Sequence, residues 1–149
     1  MEKVETIRQT IVDDKIVKDI FDDLHENAGI IHLKEIKLNE ATESIAKLHR
    51  QSTEIKEQLK DIENEKAYMI SFNKELKNEK QRQSELAKQI KSDKSYQLIN
   101  NELKETTNKI LQAKMIASHA QIEFDGAKRM QAATMKQADI IAGLSREGN

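Results

Sequence analysis

The sequence contains no cysteine, proline or tryptophan, and aromatic residues make up only 3% of it. The absence of cysteine excludes disulfide frameworks, thiolate nucleophiles and thiolate metal sites. So few large aromatic side chains argue against a compact globular core in a chain of 149 residues. The sequence also lacks an apolar run of the roughly 20 residues that a membrane-spanning helix needs, and its start lacks a signal-peptide pattern. We therefore expect a cytoplasmic protein without membrane contact.

Charge is abundant but balanced. Charged residues make up 34% of the chain, with 25 basic and 26 acidic side chains. A dedicated nucleic-acid or membrane surface usually needs a basic excess, so this balance argues against either as the main role. The many Lys, Ile, Asn and Glu residues are typical of a low-GC bacterium or its phage, and they favour long, well-solvated helices.

Apolar residues recur at alternating spacings of three and four, in two runs that are out of phase with each other. This spacing predicts an all-α protein built on a helical coiled coil. The first run consists of Ile45, Leu48, Ile55, Leu59, Ile62, Met69, Leu76, Ala87 and Ile90. The second consists of Tyr96, Ile99, Leu103, Ile110, Ala113, Ala117, Ala120, Phe124, Ala127, Ala138 and Ile141.

The change of phase between the runs predicts a turn over residues 91–95, where Ser92 or Asp93 can cap a new helix. A two-residue slip would rotate the apolar stripe by about 200° in one continuous helix, whereas a reversal of direction accommodates it. The prediction is a long antiparallel helical hairpin, with helices over residues 30–91 and 95–142. A tight turn at Asp93 pairs residues whose numbers add up to about 186, which sets Ser52 opposite Thr134.

Glycine residues provide the remaining signals for the ends of helices. Asn27-Ala28-Gly29 is typical of a helix C-cap, so we expect residues 1–29 to form an N-terminal helix and turn, the helix packing at the base of the hairpin. Residues 30–142 then form the coiled-coil stalk and residues 143–149 a flexible tail. Gly126 is either tolerated within the last helix, at a cost of about 1 kcal/mol, or marks a hinge.

No motif predicts an enzyme, a cofactor, a metal ion or a small-molecule substrate. The sequence has no glycine-rich phosphate loop and no Gly-x-Ser-x-Gly. Its four histidines are scattered, and only His25 and His32, on either side of the Gly29 turn, could approach each other as zinc ligands. Two thin helices also cannot wall a catalytic cleft.

Large apolar groups in the middle of the predicted stalk exceed what two helices can bury. We interpret them either as a belt that binds another copy or a partner protein, or as a locally wider seam. Polar residues at seam positions nearby, such as Lys66 and Asn73, either fix the register or extend towards solvent. The belt comprises Tyr68, Met69, Ile70, Phe72, Leu111, Met115 and Ile116.

The leading functional hypothesis is therefore a non-enzymatic, oligomeric coiled-coil interaction protein: an adaptor, scaffold or assembly factor. The first alternative is a nucleic-acid-associated or nuclease-inhibiting protein of phage type, which uses a mildly basic stalk tip. A holdase chaperone is a weaker alternative. The basic residues of the tip are Lys74, Lys77, Lys80, Arg82, Lys88, Lys91 and Lys94.

Overall fold

The computed structural model describes residues 14–147, which form three helices. Helix α1 comprises Asp14–Ser71, α2 comprises Glu79–Ser92 and α3 comprises Lys94–Glu147. These helices account for 94% of the described residues, which include no strand, and α1 packs extensively against α3. The predicted all-α helical hairpin with a third helix is confirmed.

The fold divides into two compact units. Unit 1 contains residues 14–41 and 116–147 of the described chain, and unit 2 contains residues 42–115. In unit 1, Asn27 Nδ2 donates to Thr134 Oγ1 at 3.3 Å and Lys34 Nζ lies 2.8 Å from Glu123 Oε2. Higher numbers on α1 thus pair with lower numbers on α3, so the two segments are antiparallel.

In unit 2 the segments of α1 and α3 are also antiparallel, and this unit buries more residues than the described part of unit 1 does. Lys66 Nζ lies 2.7 Å from Asp93 Oδ2, and the Tyr96 hydroxyl donates to Glu63 Oε1 at 2.7 Å. The core of this unit consists of Ile55, Leu59, Ile70, Ile110 and Ala113, together with the buried hydroxyl residues Ser52 and Thr106. In the described part of unit 1, only Ala120 and Thr134 are buried to this degree.

The predicted helix end at Gly29 is wrong. Helix α1 continues through this residue, and no described glycine has a positive φ. The third helix is therefore α2 rather than an N-terminal helix, and residues 1–13 of the predicted one lie outside the described residues. The reason is visible in the repeat: Val17, Ile20, Leu24 and Ile31 are less exposed than their neighbours and continue the 3,4 spacing across the glycine without a change of phase. A helical glycine costs only about 1 kcal/mol, which continuous packing of a long apolar stripe outweighs.

Gly126 likewise lies inside a helix, and α3 runs through it to Glu147, so the predicted helix end at residue 142 and the predicted tail from Gly143 are wrong for the described residues. A Cβ atom added at Gly29 or at Gly126 would meet no atom within 4 Å. Gly29→Ala and Gly126→Ala should therefore each raise the free energy of unfolding by about 0.5–1 kcal/mol, because alanine restricts the unfolded chain and favours the helix. Urea unfolding followed by circular dichroism would measure this gain. Lower stability of either variant would show that the glycine is needed for a bend or a close contact.

The predicted continuous helix over residues 30–91 is also wrong, because α1 ends at Ser71 and a connection of residues 72–78 precedes α2. Asn78 caps α2 by accepting a hydrogen bond from Gln81 N at 2.9 Å, while Gln81 Oε1 accepts one from Lys77 N at 2.9 Å. This arrangement resembles a capping box, for which Asn-x-x-Gln is a recognisable sequence signal. The polar seam positions of this region weaken the coiled coil enough for local capping to end the helix.

Candidate interaction surfaces

The register between the long helices differs from the prediction. In each observed pair of residues joined across the seam, the two residue numbers add up to 157–161. The predicted pairs add up to about 186. Thr134 bonds to Asn27 and not to Ser52. The difference is close to four heptads, so every a and d position keeps its inward orientation. Because each sum is about twice the residue number at the reversal, the chain reverses direction at the end of the connection of residues 72–78. The predicted turn of the hairpin over residues 91–95 is therefore wrong: Asp93 separates α2 from α3 on the returning arm, level with Lys66. The apolar repeat cannot distinguish registers that differ by whole heptads.

Three residues of the predicted belt form an exposed group at the end of α1 and the start of the connection. Tyr68, Met69 and Phe72 are each about two-thirds exposed, and the rings of Tyr68 and Phe72 meet edge to face with centroids 4.9 Å apart. We call these three residues the Tyr68 cluster. Aromatic and methionine side chains at this exposure are typical of protein-binding surfaces rather than of a solvated helix.

The other belt residues do not join this cluster. Ile70 is buried, and it lines a groove between α1 and α2 together with Arg82 and Leu86. Leu111 and Met115 are exposed on α3, where the register places them level with residues 44–48 of α1. This level is about 30 Å along α1 from Tyr68. Ile116 is exposed too and belongs to unit 1. The single belt predicted from the sequence is therefore wrong.

Four polar residues connect the start of α3 to α1 in unit 2. Asp93 caps α3 by accepting a hydrogen bond from Tyr96 N at 2.8 Å, as predicted, and it pairs with Lys66. The Lys66 hydrogen bond and the Tyr96 amide both hold the pKa of Asp93 below its ordinary value. The Tyr96 hydroxyl donates a hydrogen bond to Glu63, and this bond raises the pKa of Tyr96. Lys66, a polar seam residue, thus fixes the position of the α2–α3 junction instead of extending into solvent.

Asp93 should make the stability of unit 2 depend on pH. A carboxyl whose pKa is lower in the folded state stabilises the fold above its unfolded pKa of about 3.9, and this stabilisation disappears as the pH falls through the folded pKa. Asp93→Asn keeps a capping oxygen but removes the charge, so it should abolish this contribution at neutral pH and flatten the acid limb of the stability profile. Thermal unfolding monitored between neutral and acidic pH would measure it. An acid limb that is unchanged in the variant would show that other carboxylates cause the dependence.

The seven basic residues of the alternative hypothesis lie on three successive elements of unit 2. All are exposed except Arg82, which is half-buried. The Nε atom of Arg82 is buried without a hydrogen-bond partner in the groove beside Ile70. Tyr96, the aromatic residue next to the predicted basic tip, is half-buried, and its hydroxyl donates a hydrogen bond to Glu63. Lys74 and Lys77 lie in the same connection as Phe72. The exposed aromatic residues near the basic residues are therefore those of the Tyr68 cluster.

Both sides of the seam in unit 1 carry exposed apolar residues together with charged residues. The seam consists of the a and d positions, such as Val17 and Ile20 on α1 and Phe124 and Ala127 on α3. On one side of this seam, at positions g and c, seven large apolar residues are exposed among charged residues such as Asp19, Glu26 and Glu40. The seven are Ile16, Ile30, Leu33, Ile116, Met130, Ile140 and Leu144. A shallow groove lined by residues of both helices, including Ile16 and Ile140, shows that the two g and c rows lie on the same side.

The opposite side of unit 1, at positions e and b, has a similar mixture of polar and apolar residues. Asp125 Oδ1 accepts a hydrogen bond from Gln121 Nε2 at 3.1 Å and lies 3.2 Å from Lys128 Nζ, and both interactions lower its pKa. Lys128 Nζ also lies 4.2 Å from the centroid of the Phe124 ring. The large exposed apolar residues on this side are Phe21 and Met135.

The described residues include no group of three or more His, Asp or Glu side chains that could hold a metal ion. The continuous helix α1 keeps His25 and His32 two turns apart, about 10 Å along its axis, so the turn expected to bring them together does not exist. None of the helices in the described part of the chain is both long and apolar enough to cross a membrane.

Comparison with known proteins provides no family for this chain. No family, no curated protein and no solved structure that was searched matches it. The functional argument therefore depends on the surfaces described above.

Proposed function

We propose that this chain is a non-enzymatic protein-interaction module of the cytoplasm, an adaptor, scaffold or assembly factor that acts by associating with other proteins. One observation carries the proposal: 17 large apolar side chains of the described residues are exposed, whereas only six apolar residues are buried. Scattered exposed apolar residues are normal in any protein, but contiguous groups of them mark binding surfaces.

The Tyr68 cluster is the best candidate for the contact with a different protein. It combines two aromatic rings and a methionine, which bury much area at a small entropic cost. The Lys66–Asp93 ion pair and the Tyr96–Glu63 hydrogen bond hold the neighbouring α1, α2 and α3 segments together. The cluster is therefore presented on a supported element, which favours tight binding because little ordering is needed on association.

Affinity purification from the native host, followed by binding measurements with the purified partner, tests the proposal. Tyr68→Ser combined with Phe72→Ser should weaken binding at least tenfold while leaving the helical content unchanged, because these aromatic residues would be anchors of the interface. Ile70 is left intact since it is buried. Leu98→Ser is the matched control, because Leu98 is a comparably exposed apolar residue of unit 2. Equal binding by wild type and the double variant would contradict the role of the cluster.

The adjacency of exposed aromatic and basic residues favours one second candidate, binding of single-stranded nucleic acid. Tyr68 and Phe72 would provide stacking surfaces, and Lys74 and Lys77 would contact phosphates. Fluorescence anisotropy with a labelled oligonucleotide should then show binding that weakens as salt increases, and Lys74→Glu with Lys77→Glu should abolish it. Lack of binding at physiological salt would remove this candidate.

A further inference from the structure

We propose that Arg82 binds a carboxylate of the partner protein, in the groove between α1 and α2. This inference rests on the proposed function and names the chemistry of the partner: an Asp or Glu side chain close to the residues that contact the Tyr68 cluster. The starting point is a half-buried guanidinium group without an acceptor. Its Nε atom is buried and has no hydrogen-bond partner, and no carboxylate of residues 14–147 forms an ion pair with it. Such a cation loses hydration without compensation, and a bound carboxylate would supply the missing acceptor.

The fold holds Arg82 in one place. Arg82 lies in the first turn of α2, where its amide donates to the carbonyl of Asn78, the capping residue, at 3.2 Å. Its side chain lines the groove together with Ile70, which is buried, and Leu86, which is half-buried. Apolar neighbours of this kind cover the methylene stem of an arginine while the end of the side chain stays accessible. Of the three guanidinium nitrogen atoms, only Nε is buried without a partner, so the two Nη groups are the donors that a ligand can reach.

Nearby charges favour an acidic ligand. Residues 74–83 contain four basic and two acidic side chains. Glu79 lines the groove, but its Oε1 atom accepts a hydrogen bond from Gln83 Nε2 at 3.3 Å, and it forms no ion pair with Arg82 among the described residues. The local excess of positive charge attracts acidic groups to this part of unit 2. The basic residues are Lys74, Lys77, Lys80 and Arg82, and the acidic ones are Glu75 and Glu79.

The size and lining of the groove fit one amino-acid side chain. Its volume of about 240 Å³ is below the usual range of small-molecule pockets, about 300–1,000 Å³. The Ser71 hydroxyl, which also lines the groove, donates to the Tyr68 carbonyl at 2.6 Å and is therefore not a free donor. A phosphate group usually binds several donors, such as backbone amides, whereas one guanidinium can satisfy both oxygens of a carboxylate. The groove therefore favours a carboxylate over a phosphate.

The groove borders the Tyr68 cluster. Ala67 and Ser71 line the groove, and each directly precedes a residue of the cluster, Tyr68 or Phe72. Successive residues of a helix are about 100° apart, so the groove and the cluster occupy neighbouring strips at the end of α1. One partner segment can therefore place an apolar side chain on the aromatic rings and an acidic side chain beside Arg82. Aromatic residues and arginine are also the residue types that contribute most to binding in protein interfaces.

Urea unfolding separates a binding role of Arg82 from a structural one. Arg82→Met keeps an unbranched apolar stem and removes a cation that has no acceptor among the described residues, so the urea midpoint should not fall. A lower midpoint would show that Arg82 bonds within the fold and would overturn the proposal.

Nuclear magnetic resonance of the full chain tests the site without the partner. The probe is the α-amide of N-acetylglutamate, whose only carboxylate is that of the side chain. It should shift the Nε–H signal of Arg82 at least tenfold more than that of Arg50, an exposed arginine of unit 2 outside the groove. The matching glutamine compound should shift neither signal. Equal shifts of the two arginines would overturn the proposal, and so would a stronger effect of inorganic phosphate at the same ionic strength, which would favour nucleic acid.

Binding measurements with the purified partner complete the test. Arg82→Gln should weaken binding about tenfold, because a charged hydrogen bond is lost. Glu79→Gln should strengthen binding, because it removes a carboxylate that repels the acidic side chain. Arg50→Gln is the matched control and should leave binding unchanged. Unchanged binding by Arg82→Gln, or weaker binding by Glu79→Gln, would overturn the inference. If Tyr68→Ser with Phe72→Ser still weakens binding in that case, the proposed function stands without it.

Discussion

Ser52→Cys together with Thr106→Cys should form an intramolecular disulfide in nearly every molecule and raise the free energy of unfolding by about 4 kcal/mol. Both residues are buried in unit 2, with exposures of 6% and 2%. Their numbers add up to 158, within the range of the observed cross-seam pairs, so they lie at the same level of the seam. A crosslink here closes a loop of about 54 residues, whose lost freedom in the unfolded chain gives the expected gain. The shift of the crosslinked band under non-reducing electrophoresis and urea unfolding would measure both effects.

The control for this prediction uses the next residue on each helix. Thr53 and Thr107 are both exposed, and their hydroxyls bond to backbone carbonyls of their own helices. Thr53→Cys with Thr107→Cys should therefore not form the intramolecular disulfide, although its sequence separation is the same. If the Thr53/Thr107 pair crosslinks and the Ser52/Thr106 pair does not, the register of unit 2 is wrong.

Ile55→Ala should lower the free energy of unfolding by about 2–3 kcal/mol. Ile55 is 3% exposed and lies in the best-packed part of the seam, near Ser52 and Leu59. Alanine is the strongest helix former, so the loss would come from missing packing and not from helix propensity. Because the seam is only two or three helices wide, water can reach part of the cavity, which keeps the loss in the lower half of the range for buried isoleucine.

Leu98→Ala is the control for the packing prediction. Leu98 is 71% exposed on α3, so its truncation should change stability by less than about 0.5 kcal/mol. Chemical unfolding of both variants, followed by circular dichroism, gives the comparison. Equal losses would mean that Leu98 is covered in solution, whereas a negligible loss for Ile55→Ala would contradict its place in the core.

Much of the fold could be predicted from the repeat. The all-α class, the antiparallel hairpin and the cap at Asp93 follow from local spacing and from one polar side chain. All eleven seam residues of the second apolar run are buried or half-buried on α3. Local signals suffice for these features because helix periodicity and capping act over fewer than ten residues. In the first run, Met69 and Ala87 are exposed. Met69 lies two residues before the end of α1, and Ala87 lies on α2, which begins after a break in the predicted helix.

The candidate surfaces were less predictable. The Tyr68 cluster follows from the sequence, but its separation from Leu111 and Met115 depends on the register. Glu63, which binds Tyr96, and Asn27, which binds Thr134, gave no signal in the sequence. Each is one of many polar residues on a helix surface, and only the pairing of distant segments gives it a specific partner.

The sequence by itself determined that this chain forms helices with one apolar seam, because the 3,4 spacing continues in phase from Val17 to Ile62 and resumes from Tyr96 to Ile141. Only the tertiary structure decided where α1 ends, where the chain reverses direction and which residues face each other. The physical reason is that a heptad repeat has nearly the same energy in registers that differ by whole heptads. The choice among them depends on a few polar contacts and on the length of the connection, which act between residues far apart in the chain.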